Sequence, residues 1–165
     1  MRPASPIAAE LAAIAAARDA LDDRELAAID AARRSGSTWA EVATALGLAS
    51  RQAAEQRRRR LAAAARSRRH RQDARYGLSP LRAAVLALAA AIEADRRWDG
   101  RFPRAGLVRQ TLATAREADS GPLFALAAQA ATDLVPAGRL PPAVRAAVTE
   151  LRTALRSAVP TSTSR

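Results

Sequence analysis

The chain has 165 residues, 27 basic side chains against 16 acidic ones, and a formal net charge of +11 at pH 7. It has no cysteine and one histidine, His70, which excludes disulfides, zinc–thiolate sites and the usual two-histidine metal sets. The longest apolar run, residues 83–92, is too short to span a bilayer, and Glu10 interrupts the only stretch that could resemble a leader.

Residues 1–5 are expected to be disordered. Ser5-Pro6 then opens a helix by the cap-then-proline order. Ile7, Leu11, Ile14 and Ala15 make its apolar stripe. Asp22-Asp23-Arg24-Glu25 reads as a capping box that opens a further helix from Asp23 to Arg34, either continuous with the first or folded against it. Leu26, Ile29 and Ala32 are its inward positions, and Ser35-Gly36-Ser37 breaks it.

Thr38-Trp39-Ala40-Glu41 is a second capping box, so a helix begins at Trp39. Trp39, Val42, Ala43 and Leu46 share one face. Gly47 sits where a left-handed residue ends a helix at no steric cost. Leu48 plugs the space behind it, and Ser50 caps the next helix. Ala43 and Gly47 suit a close helix crossing, and Ala53 and Ala54 face back toward the first of the pair. From Ser50 there is no proline, and no glycine before Gly77, so this second helix is predicted to run to about Arg75. His70 has no evident ligand or catalytic role.

The basic charge is concentrated here. Residues 51–75 hold ten arginines against Glu55 and Asp73. Clustered basicity is the electrostatic footprint of a polyanionic partner. All the basic residues of the chain are arginine, so position carries the argument rather than residue type.

Ser79-Pro80 opens the second half with a helix to about Trp98, on which Leu81, Val85, Leu88 and Ile92 face inward and which Gly100 closes. Trp98 and Phe102 are core anchors. A helix follows to Ala118 with Leu107, Val108, Leu112 and Ala115 inward. Another starts at Ser120 with Leu123, Leu126, Ala127, Ala130 and Leu134. The loop 135–141 leads to a last helix from Pro142, carrying Val144, Val148, Leu151 and Leu155. That spacing could serve a dimer, but two heptads are short for a coiled coil, so closure of a four-helix core is the favoured reading. The tail 160–165 is expected to be disordered. No segment alternates like a strand. The fold class is therefore all-α, with an N-terminal unit over 1–75 that ends in the arginine-rich helix and a C-terminal four-helix domain over 79–159.

Residues 38–61 resemble the helix-turn-helix of bacterial transcription regulators, particularly that of region 4 of sigma factors. The shared pattern is Glu41-Val42-Ala43, Ala45-Leu46-Gly47-Leu48, Ser50-Arg51-Gln52-Ala53-Ala54, Arg57 and Leu61. Ala49 and Ser50 stand where the family usually has one residue, which leaves the register of base contacts open. The resemblance implies a recognition helix from Ser50 in the major groove of double-stranded DNA. Ser50, Arg51, Gln52, Glu55, Gln56 and Arg59 would then face the bases, since Arg and Gln can bond guanine and adenine edges bidentately and Glu can accept from cytosine. Arg57, Arg58, Arg60, Arg66, Arg68 and Arg69 would contact phosphates.

The functional expectation is a bacterial DNA-binding regulator in the cytoplasm, at the nucleoid, using no metal or cofactor. Homodimer formation stays open, and no membrane partner is expected. The sequence has no P-loop, dinucleotide fingerprint or nucleophile elbow, so no enzyme is expected. Two alternatives stand beside this. One is a nucleoid-associated protein of low sequence specificity. The other is an arginine-rich interaction module for an acidic protein or an anionic membrane surface.

Overall fold

The computed structural model describes residues 5–135 and 137–158. Of residues 1–5 and 160–165, expected to be disordered, 1–4 and 160–165 lie outside them, whereas Ser5 is described and its carbonyl accepts from the Ala9 N–H at 3.0 Å at the start of the first helix. Among the described residues the chain is all-α, with no strand. The helices are α1 (Pro6–Arg34), α2 (Trp39–Ala45), α3 (Arg51–Arg75), α4 (Ser79–Glu93), α5 (Ala105–Glu117), α6 (Ser120–Asp133) and α7 (Pro142–Ala158), with a short 3-10 turn at Trp98–Gly100. They form two compact units, Met1–Arg68 and Arg69–Arg165, and the division falls within α3.

The first unit has a small core. Ile29 of α1, Val42 and Ala43 of α2, and Ala54 and Leu61 of α3 are buried together, with Leu26, Ala32, Trp39, Leu46 and Leu48 packed around them. The inward positions expected of α2 and of the second half of α1 are thus filled. α1 is one continuous helix of 29 residues, the first of the two arrangements the sequence allows, but two expectations for it are corrected: Asp22-Asp23-Arg24-Glu25 opens no new helix and caps nothing. No proline or glycine lies between Pro6 and Gly36 in this alanine-rich stretch, so nothing stops the helix. Nor do Ile7, Leu11, Ile14 and Ala15 face inward, since every residue from Ser5 to Ala20 is exposed.

The joint after α2 is closed by a Schellman motif. Gly47 adopts φ +64°, its N–H donates to the Thr44 carbonyl at 3.1 Å, and the Leu48 N–H donates to the Ala43 carbonyl at 2.8 Å. A residue with a Cβ would pay steric strain in that conformation. The same pair of bonds ends α3 at Gly77, where the sequence placed its stop.

In the second unit α4, α5, α6 and α7 share one core. Leu81, Val85, Leu88 and Ile92 of α4 are buried, and so are Val144, Val148 and Leu151 of α7, which close this core. Two details differ from expectation. Leu107 of α5 is exposed, because the inward face follows Ala105, Val108, Leu112 and Ala115. And α4 ends at Glu93 rather than near Trp98. The chain then turns on Asp95, which accepts from the Arg97 N–H at 3.1 Å and pairs with Arg101. That turn directs Trp98 inward, where it is fully buried. Its indole N–H donates to the Ala105 carbonyl at 2.7 Å, and Phe102 meets the ring edge-on at a centroid distance of 5.4 Å.

This core also holds charge. Asp73, at the end of α3, is buried and pairs with Arg82 of α4. Ser120 donates to Asp73 at 2.8 Å. The Arg82 guanidinium also donates to the carbonyls of Ala115, Arg116 and Ala118, at 3.3, 3.1 and 2.7 Å, satisfying orphan acceptors at the end of α5. A second buried carboxylate, Asp133, accepts from Gln129 at 2.9 Å and Arg104 at 2.6 Å. These bonds, the Gln129 amide first, hold its carboxyl below the ordinary range against the opposing effect of burial. Among the described residues no buried side-chain polar atom lacks a partner.

Removing one member of a buried, hydrogen-bonded ion pair leaves the other charge uncompensated. Arg82→Ala should therefore destabilise the second unit by about 3–5 kcal/mol. Urea unfolding followed by Trp98 fluorescence in a Trp39→Phe background measures it, and a midpoint unchanged from the parent would contradict this assignment.

Candidate nucleic-acid interface

The entry to α2 forms as the sequence reads. The Glu41 N–H donates to the Thr38 hydroxyl at 3.2 Å, and the Thr38 N–H donates to the Glu41 carboxylate at 2.6 Å. The second bond, and with it the Thr38 hydroxyl, lowers the Glu41 carboxyl pKa. Trp39 is half-buried against the core, and the Arg33 guanidinium lies over its ring at 4.8 Å. Ser50 accepts the Ala53 N–H at 3.1 Å and so caps α3.

From this start α3 presents two unlike sides. Ala54, Leu61 and Ala65 are buried at helical spacing. On the exposed side stand the six base-facing candidates, Ser50, Arg51, Gln52, Glu55, Gln56 and Arg59. All are exposed except Glu55, which is half-buried. Arg51 and Glu55 pair at 3.0 Å across one helical turn, with the Arg51 side chain 74% exposed. Such a pair is weak and screened, so either partner can turn to a ligand at small cost.

The six phosphate candidates do not stay together. Arg57 donates to Glu25 through two bonds, at 2.8 and 2.7 Å, with Asp22 at 3.5 Å. Arg58 meets Asp30 at 2.6 Å, and Arg68 pairs with Asp19, at 3.3 Å, and with Asp23. All these carboxylates lie on α1. The earlier arginines of α3 meet later residues of α1 and the reverse, so the two helices run antiparallel within the first unit. Arg69, in the second unit, pairs with Glu117 at 2.7 Å. Arg60 and Arg66 have no carboxylate partner among the described residues, and neither does Arg59. All three are exposed.

The cause is helical geometry. Positions 57, 58 and 68 flank the buried stripe of Ala54, Leu61 and Ala65, so their side chains reach the neighbouring helix. Positions 59 and 66 lie one heptad apart on the opposite side, in line with 52 and 56. The sequence alone suggests a capping role for Asp22-Asp23-Arg24-Glu25 and none for Asp19 or Asp30, and it does not show that these acids pair with α3. Their signal was present: Asp19, Asp22, Asp23 and Asp30 recur at the spacing of one helix face.

The Arg57 pairing holds the Glu25 carboxyl below its ordinary range, chiefly through the side-chain hydrogen bond, and raises the Arg57 pKa for the same reason. Among the described residues no group of His, Asp and Glu side chains is placed to hold a metal ion, and no helix is long and apolar enough to cross a membrane. No protein-family model, curated protein or solved structure matches the chain.

A carboxyl whose folded pKa is depressed contributes stability that is present above its unfolded pKa and lost as pH falls through the folded one. Stability of the first unit should therefore fall on acidification below about pH 4.5. Glu25→Gln should reduce that dependence, as read by unfolding of the first unit at a series of pH values through Trp39 fluorescence in a Trp98→Phe background. An identical pH profile would contradict the Glu25–Arg57 linkage. Because Trp39 is only half-buried, Trp39→Ala should cost about 2 kcal/mol, below the roughly 3–5 kcal/mol of a fully buried tryptophan. A calorimetric melt with no change in midpoint would show that the ring contributes nothing.

Proposed function

We propose that the first unit binds double-stranded DNA as a bacterial transcription regulator, with α3 entering the major groove from Ser50. The observation that carries this reading is the exposed side of α3. Arg51, Gln52, Gln56, Arg59 and Arg66 line one side of a helix whose other side is packed, and among the described residues no carboxylate of the first unit pairs with Arg59, Arg60 or Arg66. Hydrogen-bonding side chains with a net positive field, on a rigid rod narrow enough for the groove, suit a duplex. The capped α2, the tight turn at Gly47 and the resemblance to sigma factor region 4 support the same reading.

In this reading the arginines divide their work. Arg51, Gln52, Gln56 and Arg59 read base edges, with Glu55 available to cytosine once released from Arg51. Arg60 and Arg66 grip phosphates. Arg57, Arg58 and Arg68 instead fix α3 to α1 and contribute little field outside the protein, because each is balanced by a carboxylate. The nucleoid is then the place of action. The dense outward arginines also favour a second version, a nucleoid-associated protein with low sequence preference.

Fluorescence anisotropy on labelled duplexes, competed with random DNA, tests both. The regulator reading expects a preferred site, at which Arg51→Ala or Gln52→Ala costs about 1–3 kcal/mol and relaxes specificity. Arg60→Ala and Arg66→Ala should weaken all sequences alike. Equal affinity for every duplex would leave only the nucleoid-associated version. Absence of binding at low salt would overturn DNA binding and turn attention to acidic protein surfaces.

A further inference from the structure

The first half of α1 has an apolar stripe that no described residue of the first unit covers. Ile7, Leu11, Ile14 and Leu21 are 69%, 62%, 43% and 61% exposed. Their spacing is that of the seam of a paired helix, alternating steps of four and three, with Arg18 at the one intervening seam position. Continued along the same helix face, the seam enters a groove of about 390 Å³ between α1 and α2, lined by Glu25, Ala28, Ile29 and Ala32 and, across from them, Val42 and Leu46. An exposed apolar stripe of this length on a small unit marks an interface.

We propose that this surface is covered by the same surface of a second copy of the chain, in an antiparallel two-fold pairing of the α1 helices. Charge and size select this occupant. With the twofold axis at residue 16, each Leu11 lies opposite Leu21 of the second copy, and each Ile7 lies opposite Glu25, at the mouth of the groove. Glu10 lies opposite Arg24 of the second copy, twice by symmetry. Both are exposed, and among the described residues neither has an ion pair within its own chain. Ala15 and Ala17 meet their own copies at the centre, where small side chains allow close approach. Arg18 lies along Ile14 of the second copy, with its guanidinium reaching solvent.

A parallel pairing fits worse. It sets Arg18 against Arg18 in the seam and leaves Glu10 facing Ala15. Two heptads alone are short for a coiled coil, and the groove supplies the rest of the contact. A self-complementary patch of this kind closes as a dimer. The inference does not depend on DNA binding.

Sedimentation of the full chain tests the proposal. The native protein should be a dimer at micromolar concentration, and Leu11→Asp should weaken dimerisation by about 100-fold or more, with unchanged helicity because Leu11 is exposed. Glu10→Arg or Arg24→Glu alone should weaken the dimer, and the two together should restore it. The chain has no cysteine, so single cysteines report orientation cleanly. Ala17→Cys should cross-link to its own copy with a short bis-maleimide, and Ala9→Cys, on the outer face, should not. Overturning results would be a native monomer, including one that binds anionic vesicles through α1, or a dimer indifferent to Leu11→Asp. Cross-linking at Ala9 but not at Ala17 would equally overturn it.

Discussion

The first unit depends on the ion pairs between α1 and α3. Its apolar core is small, five buried side chains with a rim of half-buried ones, and small cores supply little stability on their own. The bidentate Arg57–Glu25 pair, with Arg58–Asp30 and Arg68–Asp19/Asp23, extends the contact between the helices beyond that core. Exposed ion pairs are individually weak, but a network on two rigid rods needs less ordering per bond. These pairs fix which side of α3 faces α1, and so which side faces outward.

That partition gives the arginine cluster its meaning. Consecutive arginines would otherwise form a uniform basic brush. Because a helix rotates each residue by about 100°, Arg57 and Arg58 flank the packed stripe and find carboxylates, whereas Arg59 and Arg60 point away. Local net charge is therefore a poor guide to the field outside the protein, and the number of available cations is smaller than a count of arginines suggests. The arrangement also limits the proposed DNA interface to a strip along one side of α3, next to the turn at Gly47.

Much of this was legible in the sequence because it is local. The capping box at Thr38, the left-handed turn at Gly47, the Ser50 cap and the length of α3 are decided by residues within a few positions of one another. The apolar faces of α4 and α7 follow from periodicity alone. What the sequence hid was relational. Asp22-Asp23-Arg24-Glu25 has the spacing of a cap, but α1 runs through it, because no breaker precedes it and its acids have partners on α3. Ile7, Leu11 and Ile14 read as a core stripe, since periodicity does not say whether a partner helix exists. Leu107 fell on the wrong side because alanine and threonine, Ala105 and Thr111, hold positions on the inward face. At the candidate site the identity of the outward residues was readable, but the loss of Arg57, Arg58, Arg68 and Arg69 to internal carboxylates was not.

The salt dependence of duplex binding by Arg57→Ala and Arg66→Ala separates inward-paired from outward arginines most directly. Each phosphate contact contributes a slope of about −0.9 in log affinity against log salt. Arg66→Ala should make the slope shallower by about that amount, whereas Arg57→Ala should leave it unchanged while lowering the stability of the first unit. A slope that flattens equally in both variants, with stability untouched by Arg57→Ala, would contradict the division of the arginines.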